Sequence, residues 1–169
     1  MPQNSATPIR VIVADDTAII RRSICSLLKY RTDIVVVGEC ADFAQALQMV
    51  QEMKPHVVIL DLHMPDQTQV VSSHIKAQFQ ALGIASIAIS IWNDPETLPL
   101  AEDFGAAALL NKIELGEKLI KARHGLSQTA LKPICRARYG YLISVGDQIV
   151  DLVRRIEGHR SRQNRPRPK

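Results

Sequence analysis

Apolar residues in the first 125 positions fall into two alternating kinds of run. Short β-branched or aliphatic runs, at 9–14, 34–38, 57–60, 84–90 and 107–110, have the length and content of buried strands. Between them, apolar residues recur at steps of three and four, the spacing of a helix with one buried face. Ile20, Ile24, Leu27 and Leu28 form the first such stripe, and Phe43, Ala46, Leu47 and Val50 the second. The punctuation agrees. Thr17 and Asp42 are placed to cap helices, and Pro55 cannot continue one. Gly38 is expected to stop the second strand, and Gly83 to close a third helix over 68–82. Asp94 and Pro95 suit the cap and first position of a fourth, which Gly105 ends, and 114–123 reads as a fifth.

Five strand–helix repeats predict an α/β fold: a doubly wound, five-stranded parallel sheet with helices on both faces. Ligands of such sheets bind beyond the carboxyl ends of the strands. The polar residues that fall there are Asp15 and Asp16 after the first strand and Asp61 after the third. Ser90 ends the fourth, and Lys112 follows the fifth. Three carboxylates at one sheet edge repel each other unless a cation neutralises them, and an all-oxygen donor set suits Mg²⁺. With an ammonium and a hydroxyl converging on it, such a site can stabilise a phosphoryl group in transit. One carboxylate could then serve as nucleophile. Asp61, central and at the end of a buried run, is the candidate, with Asp15 and Asp16 holding the metal.

The residues Ala14-Asp15-Asp16, Asp61-Leu62-His63-Met64-Pro65, Ser90 and Lys112, in that order and spacing, resemble the response-regulator receiver family, CheY-like in fold. The likeness covers residues 8–125. The segments at 33–39 and 54–58 are similar to receivers of the LuxR type. The resemblance implies a flavodoxin-like fold and a phosphorelay role. Asp61 would be the phosphoacceptor, and Asp16 would ligate Mg²⁺ directly, with Asp15 assisting through water. Ser90 would bind the phosphoryl oxygen, and Lys112 would pair with the phosphoryl group. It implies a sensor histidine kinase or phosphotransfer protein as donor. The chain itself would be no enzyme beyond catalysing its own phosphorylation and dephosphorylation.

Several positions depart from the family pattern. Gln69 stands where glycine is frequent, and Ile91 and Trp92 follow Ser90 where a small residue is common. These bulky groups either slow the access of water or simply pack on the surface. Leu109 replaces an aromatic that often reports phosphorylation, and Ile113 replaces a proline. His63 reads as an exposed loop residue.

Charge separates the chain into unequal parts. Residues 1–125 balance to −3 and residues 126–169 to +7, for a net +4. Nucleic-acid binding by the main domain is therefore disfavoured. Residues 126–158 are expected to form a linker and an amphipathic helix, with Leu142, Val145, Ile149, Leu152 and Ile156 as its stripe. Residues 159–169 are expected to be a basic disordered tail. The helix suits docking or a homodimer, and the tail leaves a non-specific nucleic-acid contact open. An alternative function is a DNA-binding transcription regulator with a shortened effector. A third, an aspartyl-phosphate hydrolase, is disfavoured because His63 stands where that class needs a second acid.

Aromatics are only 4% of residues, so the core must rest on Ile, Leu, Val and Ala. Cys25, Cys40 and Cys135 lack metal-ligand spacing and read as small buried hydrophobes in a reducing compartment. No apolar stretch reaches the roughly 18 residues of a membrane span. The polar N-terminus lacks a secretory layout. A cytoplasmic protein with no membrane contact is expected, acting on an unknown downstream protein.

Overall fold

The computed structural model describes residues 7–91, 96–112, 151 and 154–155. Within them the elements alternate as the hydrophobic pattern predicts: β1 (Ile9–Ala14), α1 (Ala18–Lys29), β2 (Ile34–Cys40), α2 (Phe43–Met53) and β3 (Val57–Asp61). Then come α3 (Gln69–Leu82), β4 (Ala85–Ser90), α4 (Thr97–Asp103) and β5 (Ala108–Asn111). All strand pairs are parallel, in the order β2-β1-β3-β4-β5. β1 lies between β2 and β3, so the strand order reverses beside it, and a crevice opens where β1 and β3 end.

Strand alternation divides the core into two layers. Val11, Val13, Val57, Ile59, Ile87, Ile89 and Leu110 pack with Ile24 and Leu28 of α1. Ile12, Ala14, Val58, Leu60 and Ala88 pack on the other face with residues of α2, α3 and α4. That second layer holds Phe43 and Phe104, stacked with ring centroids 5.1 Å apart. Such a pair adds about 1 kcal/mol beyond the area it buries. The expected fifth helix, Asp94, Pro95, Cys135 and the stripe of the amphipathic helix lie outside the described residues.

The caps follow local chemistry, with one exception. Asp42 accepts from Gln45 N at 2.7 Å, Thr68 accepts from Val71 N at 3.2 Å, and Gly83 takes a left-handed φ of 64°. Thr17 occupies the cap position of α1 but makes no side-chain cap bond; its hydroxyl donates to Asp16 Oδ1 at 3.1 Å. Asp66, 23 residues beyond Phe43 in sequence, accepts from Phe43 N at 3.1 Å and Ala44 N at 3.2 Å. It ties the loop after β3 to the start of α2.

Gly38 does not stop β2. The strand runs on to Cys40, and the pairing slips by one residue there, with Val11 opposite Val36 and Ile12 opposite Gly38. A β-carbon at Gly38 would come 3.1 Å from Met49 Sδ, so the glycine permits close approach of α2 rather than ending the strand. Gln69 opens α3, and Lys54 is the only non-glycine at positive φ among the described residues. The glycine that Gln69 replaces is thus not required by the backbone. No helix among the described residues is long and apolar enough to cross a membrane.

Candidate functional site

Register places the polar residues before any side-chain contact does. Ala14 pairs with Leu60 and Asp61 with Ile89, so Asp15 and Asp61 leave neighbouring strands at one level. Ser90 pairs with Asn111, which sets Lys112 one step further along the same rim. Alternation sets direction as well. Asp15, Asp61 and Lys112 each stand two residues after a member of the α1-side layer, namely Val13, Ile59 and Leu110. Parity brings them together on that side.

Asp15 and Ser90 are fully buried, Asp61 nearly so, and Asp16 is exposed. One ligand oxygen from each of Asp15, Asp16 and Asp61 lies within 4.8 Å of the others. Lys112 Nζ lies 2.5 Å from Asp61 Oδ2 and 3.0 Å from Asp15 Oδ2. Asp15 Oδ1 accepts from Thr17 N at 2.8 Å, and Asp61 Oδ1 accepts from His63 N at 3.1 Å. Burial pushes the Asp15 carboxyl above its ordinary value. The Lys112 contact pulls it back, and the charge of Asp61 adds to the push. Two carboxylates share one ammonium here. The local charge is still negative, which favours a further cation.

The donor set fits Mg²⁺. It consists of carboxylate oxygens with one exposed member, which leaves room for the waters that this ion retains. Asp15 Oδ2 meets Lys112 at 3.0 Å, and a carboxylate oxygen so placed keeps a second lone pair for a cation. Ser90 Oγ is buried and has no hydrogen-bond partner among the described residues. An unpaired hydroxyl there costs roughly 1–3 kcal/mol and is ready to donate to an incoming anion.

All five residues predicted from sequence fall on one rim, where contacts join Asp15, Asp16, Asp61 and Lys112 and register sets Ser90 at the neighbouring strand end. His63 is exposed, and Leu109 packs against the α2–α4 layer. Ile91 is 58% exposed beside the site, whereas Trp92 and Ile113 lie outside the described residues. Arg21 was not foreseen. It donates to the carbonyl oxygen of Asp15 at 2.6 Å. A basic residue in the opening turns of a helix runs against the macrodipole, and that was its available signal.

Comparison with known proteins agrees with this fold. The family profile of the response regulator receiver domain matches residues 11–124. The transcriptional regulatory protein YhcZ of Bacillus subtilis is 34% identical over 121 residues, covering 69% of this chain and 55% of YhcZ. The oxygen regulatory protein NreC of Staphylococcus epidermidis is 33% identical over 116 residues, covering 68% of this chain and 52% of NreC. The chain thus spans about half the length of these curated relatives. Among solved structures, the signal receiver domain of the response regulator NarL from Mycobacterium tuberculosis aligns with a TM-score of 0.57 at 27% identity. That alignment covers 72% of this chain and all of the NarL domain.

Proposed function

Because the chain belongs to the response regulator receiver family, as a receiver domain of a two-component system, we propose that Asp61 is its phosphoacceptor and that phosphorylation switches its protein contacts. The observation that carries this reading is the position of Asp61. Its carboxylate is buried at a strand end, paired with Lys112 at 2.5 Å, and has oxygens of Asp15 and Asp16 within 4.8 Å.

The donor is a phosphohistidine on a sensor kinase or phosphotransfer protein. An Asp61 carboxylate oxygen attacks phosphorus, the P–N bond breaks, and its electron pair stays on the imidazole. Lys112, already beside Asp61, neutralises charge on the phosphoryl oxygens, and Ser90 Oγ donates a hydrogen bond to one of them. Asp15, Asp16 and Asp61 would hold Mg²⁺, which when bound supplies positive charge to offset that of the phosphoryl group. Hydrolysis restores Asp61, so the chain acts on no substrate but itself.

The output is a change of shape near β4 and α4. Ser90 Oγ, without a hydrogen-bond partner among the described residues, gains one in the phosphoryl group, and the end of β4 moves with it. Leu109 contacts the α2–α4 layer, so an aliphatic side chain takes the place of the usual aromatic in transmitting the shift. On this reading the receiver spans residues 8–125 and acts in the cytoplasm, and residues 126–169 serve docking or dimerisation.

Intact-protein mass after incubation with a small-molecule phosphodonor tests the reading. One phosphoryl adduct is expected, dependent on Mg²⁺ and lost in Asp61→Asn. An adduct that survives in Asp61→Asn would remove Asp61 from the role. The transcription-regulator alternative draws support from the description of YhcZ. It requires a salt-dependent gel shift that disappears on deletion of residues 139–169.

A further inference from the structure

The loop between β1 and α1 carries two of the three carboxylates, and it is held from outside the reacting set. The N–H of Asp15 donates to Cys40 O at 3.1 Å, which anchors the loop to the end of β2. Arg21, in the opening turns of α1, donates through one terminal nitrogen to the Asp15 carbonyl at 2.6 Å. The same nitrogen reaches the Asp16 carbonyl at 3.5 Å. Its Nε lies 3.8 Å from Glu39 Oε2, near the end of β2. The Arg21 side chain is only 20% exposed, so it lies along the surface instead of extending into water.

This placement is locally unfavourable, because a cation near a helix N-terminus opposes the macrodipole. It is explained by what the guanidinium grips. The two carbonyls it engages belong to the residues whose carboxylates face Asp61. A hydrogen bond to a carbonyl fixes the peptide plane, and the plane fixes where the next side chain starts. We infer that Arg21, braced by Glu39, is a positioning residue for divalent-cation binding, keeping the carboxylates of Asp15 and Asp16 turned toward Asp61. This rests on the reading of those carboxylates as metal ligands.

Two effects of opposite sign make the inference decidable. Removing Arg21 deletes a positive charge near an acidic site, and electrostatics alone would then tighten cation binding. Removing it also frees the loop, and loss of an outer-shell support typically weakens metal affinity 10- to 100-fold. Arg21 already faces the carboxylate of Glu39 at 3.8 Å, which offsets part of its charge and keeps the first effect small. Positioning therefore wins.

The experiment is calorimetric titration of MgCl₂ into the full chain, beside Arg21→Ala, Arg21→Gln, Arg21→Lys and Asp16→Asn. Mg²⁺ affinity should fall about tenfold in Arg21→Ala and in Arg21→Gln, with Arg21→Lys between them and the wild type. Thermal melts without Mg²⁺ identify any variant that does not fold. Arg21→Gln, with the longer side chain, carries the test if Arg21→Ala fails. Unchanged or tighter binding in a folded Arg21→Ala or Arg21→Gln overturns the positioning role while leaving the metal site intact. Wild-type binding that Asp16→Asn does not affect overturns the metal reading and this inference together.

Discussion

Lys112 approaches Asp61 more closely than it approaches Asp15, at 2.5 Å against 3.0 Å, although both carboxylates are buried. The ammonium therefore neutralises the proposed nucleophile first. Asp15 is the carboxylate that burial pushes upward. The asymmetry divides the labour between them: Asp61 has the shorter contact with Lys112, and Asp15, which burial penalises, gains most from an additional cation.

Replacing Lys112 by methionine leaves two buried carboxylates without their ammonium. The metal-free protein is expected to lose about 3 kcal/mol, as when one partner of a buried pair is removed. Mg²⁺ should then stabilise Lys112→Met more than it stabilises the wild type, because it takes over the neutralisation. Urea melts with and without Mg²⁺ measure both quantities. Equal stabilisation of the two proteins would show that Lys112 is not the resident counter-charge.

Ser90→Ala separates stability from signalling. The hydroxyl is buried without a partner among the described residues, so its removal should leave the stability of the unphosphorylated protein unchanged or raise it by up to about 1 kcal/mol. Formation of the phosphoryl adduct should slow in the same variant, because a donor to the phosphoryl oxygen is gone. A clear loss of stability would mean that Ser90 has a structural bond in the resting protein.

The cysteines make a prediction about alkaline pH. Burial pushes the thiols of Cys25 and Cys40 from 9.0 up to about 12. Between those values the unfolded chain loses these protons while the folded chain keeps them. Stability therefore falls as pH rises through that interval, and it does so from about pH 9 upward. Alkylation followed by mass spectrometry should find both thiols slow to react in the folded protein at pH 8 and fast in denaturant. Rapid labelling of Cys40 without denaturant would contradict its burial. Cys25 is half-buried and packs at the margin of the α1-side cluster, not enclosed as its apolar neighbours suggested.

Much of the fold was legible because period and punctuation are local properties. A run such as Val57 to Leu60, apolar at every position, suits a strand buried on both sides by helices, and Asp42, Thr68 and Gly83 act within one turn of where they stand. The rim that carries the five candidate residues was legible for a related reason: each sits at or just past the end of a strand, and strand ends are marked in the chain. Gly38 was misread, because a glycine that lets a helix approach looks, in one dimension, like one that ends a strand.

What the sequence by itself determined is therefore the set of elements and the edge on which the chemistry falls. Tertiary structure alone decided which carboxylate Lys112 meets, that Asp66 holds the start of α2 from 23 residues away, and that Arg21 grips the carbonyls of the acidic loop. Each of these depends on how far one element is shifted against another. Strand register and helix packing set that shift through the summed contacts of many residues, and no single stretch of chain encodes it.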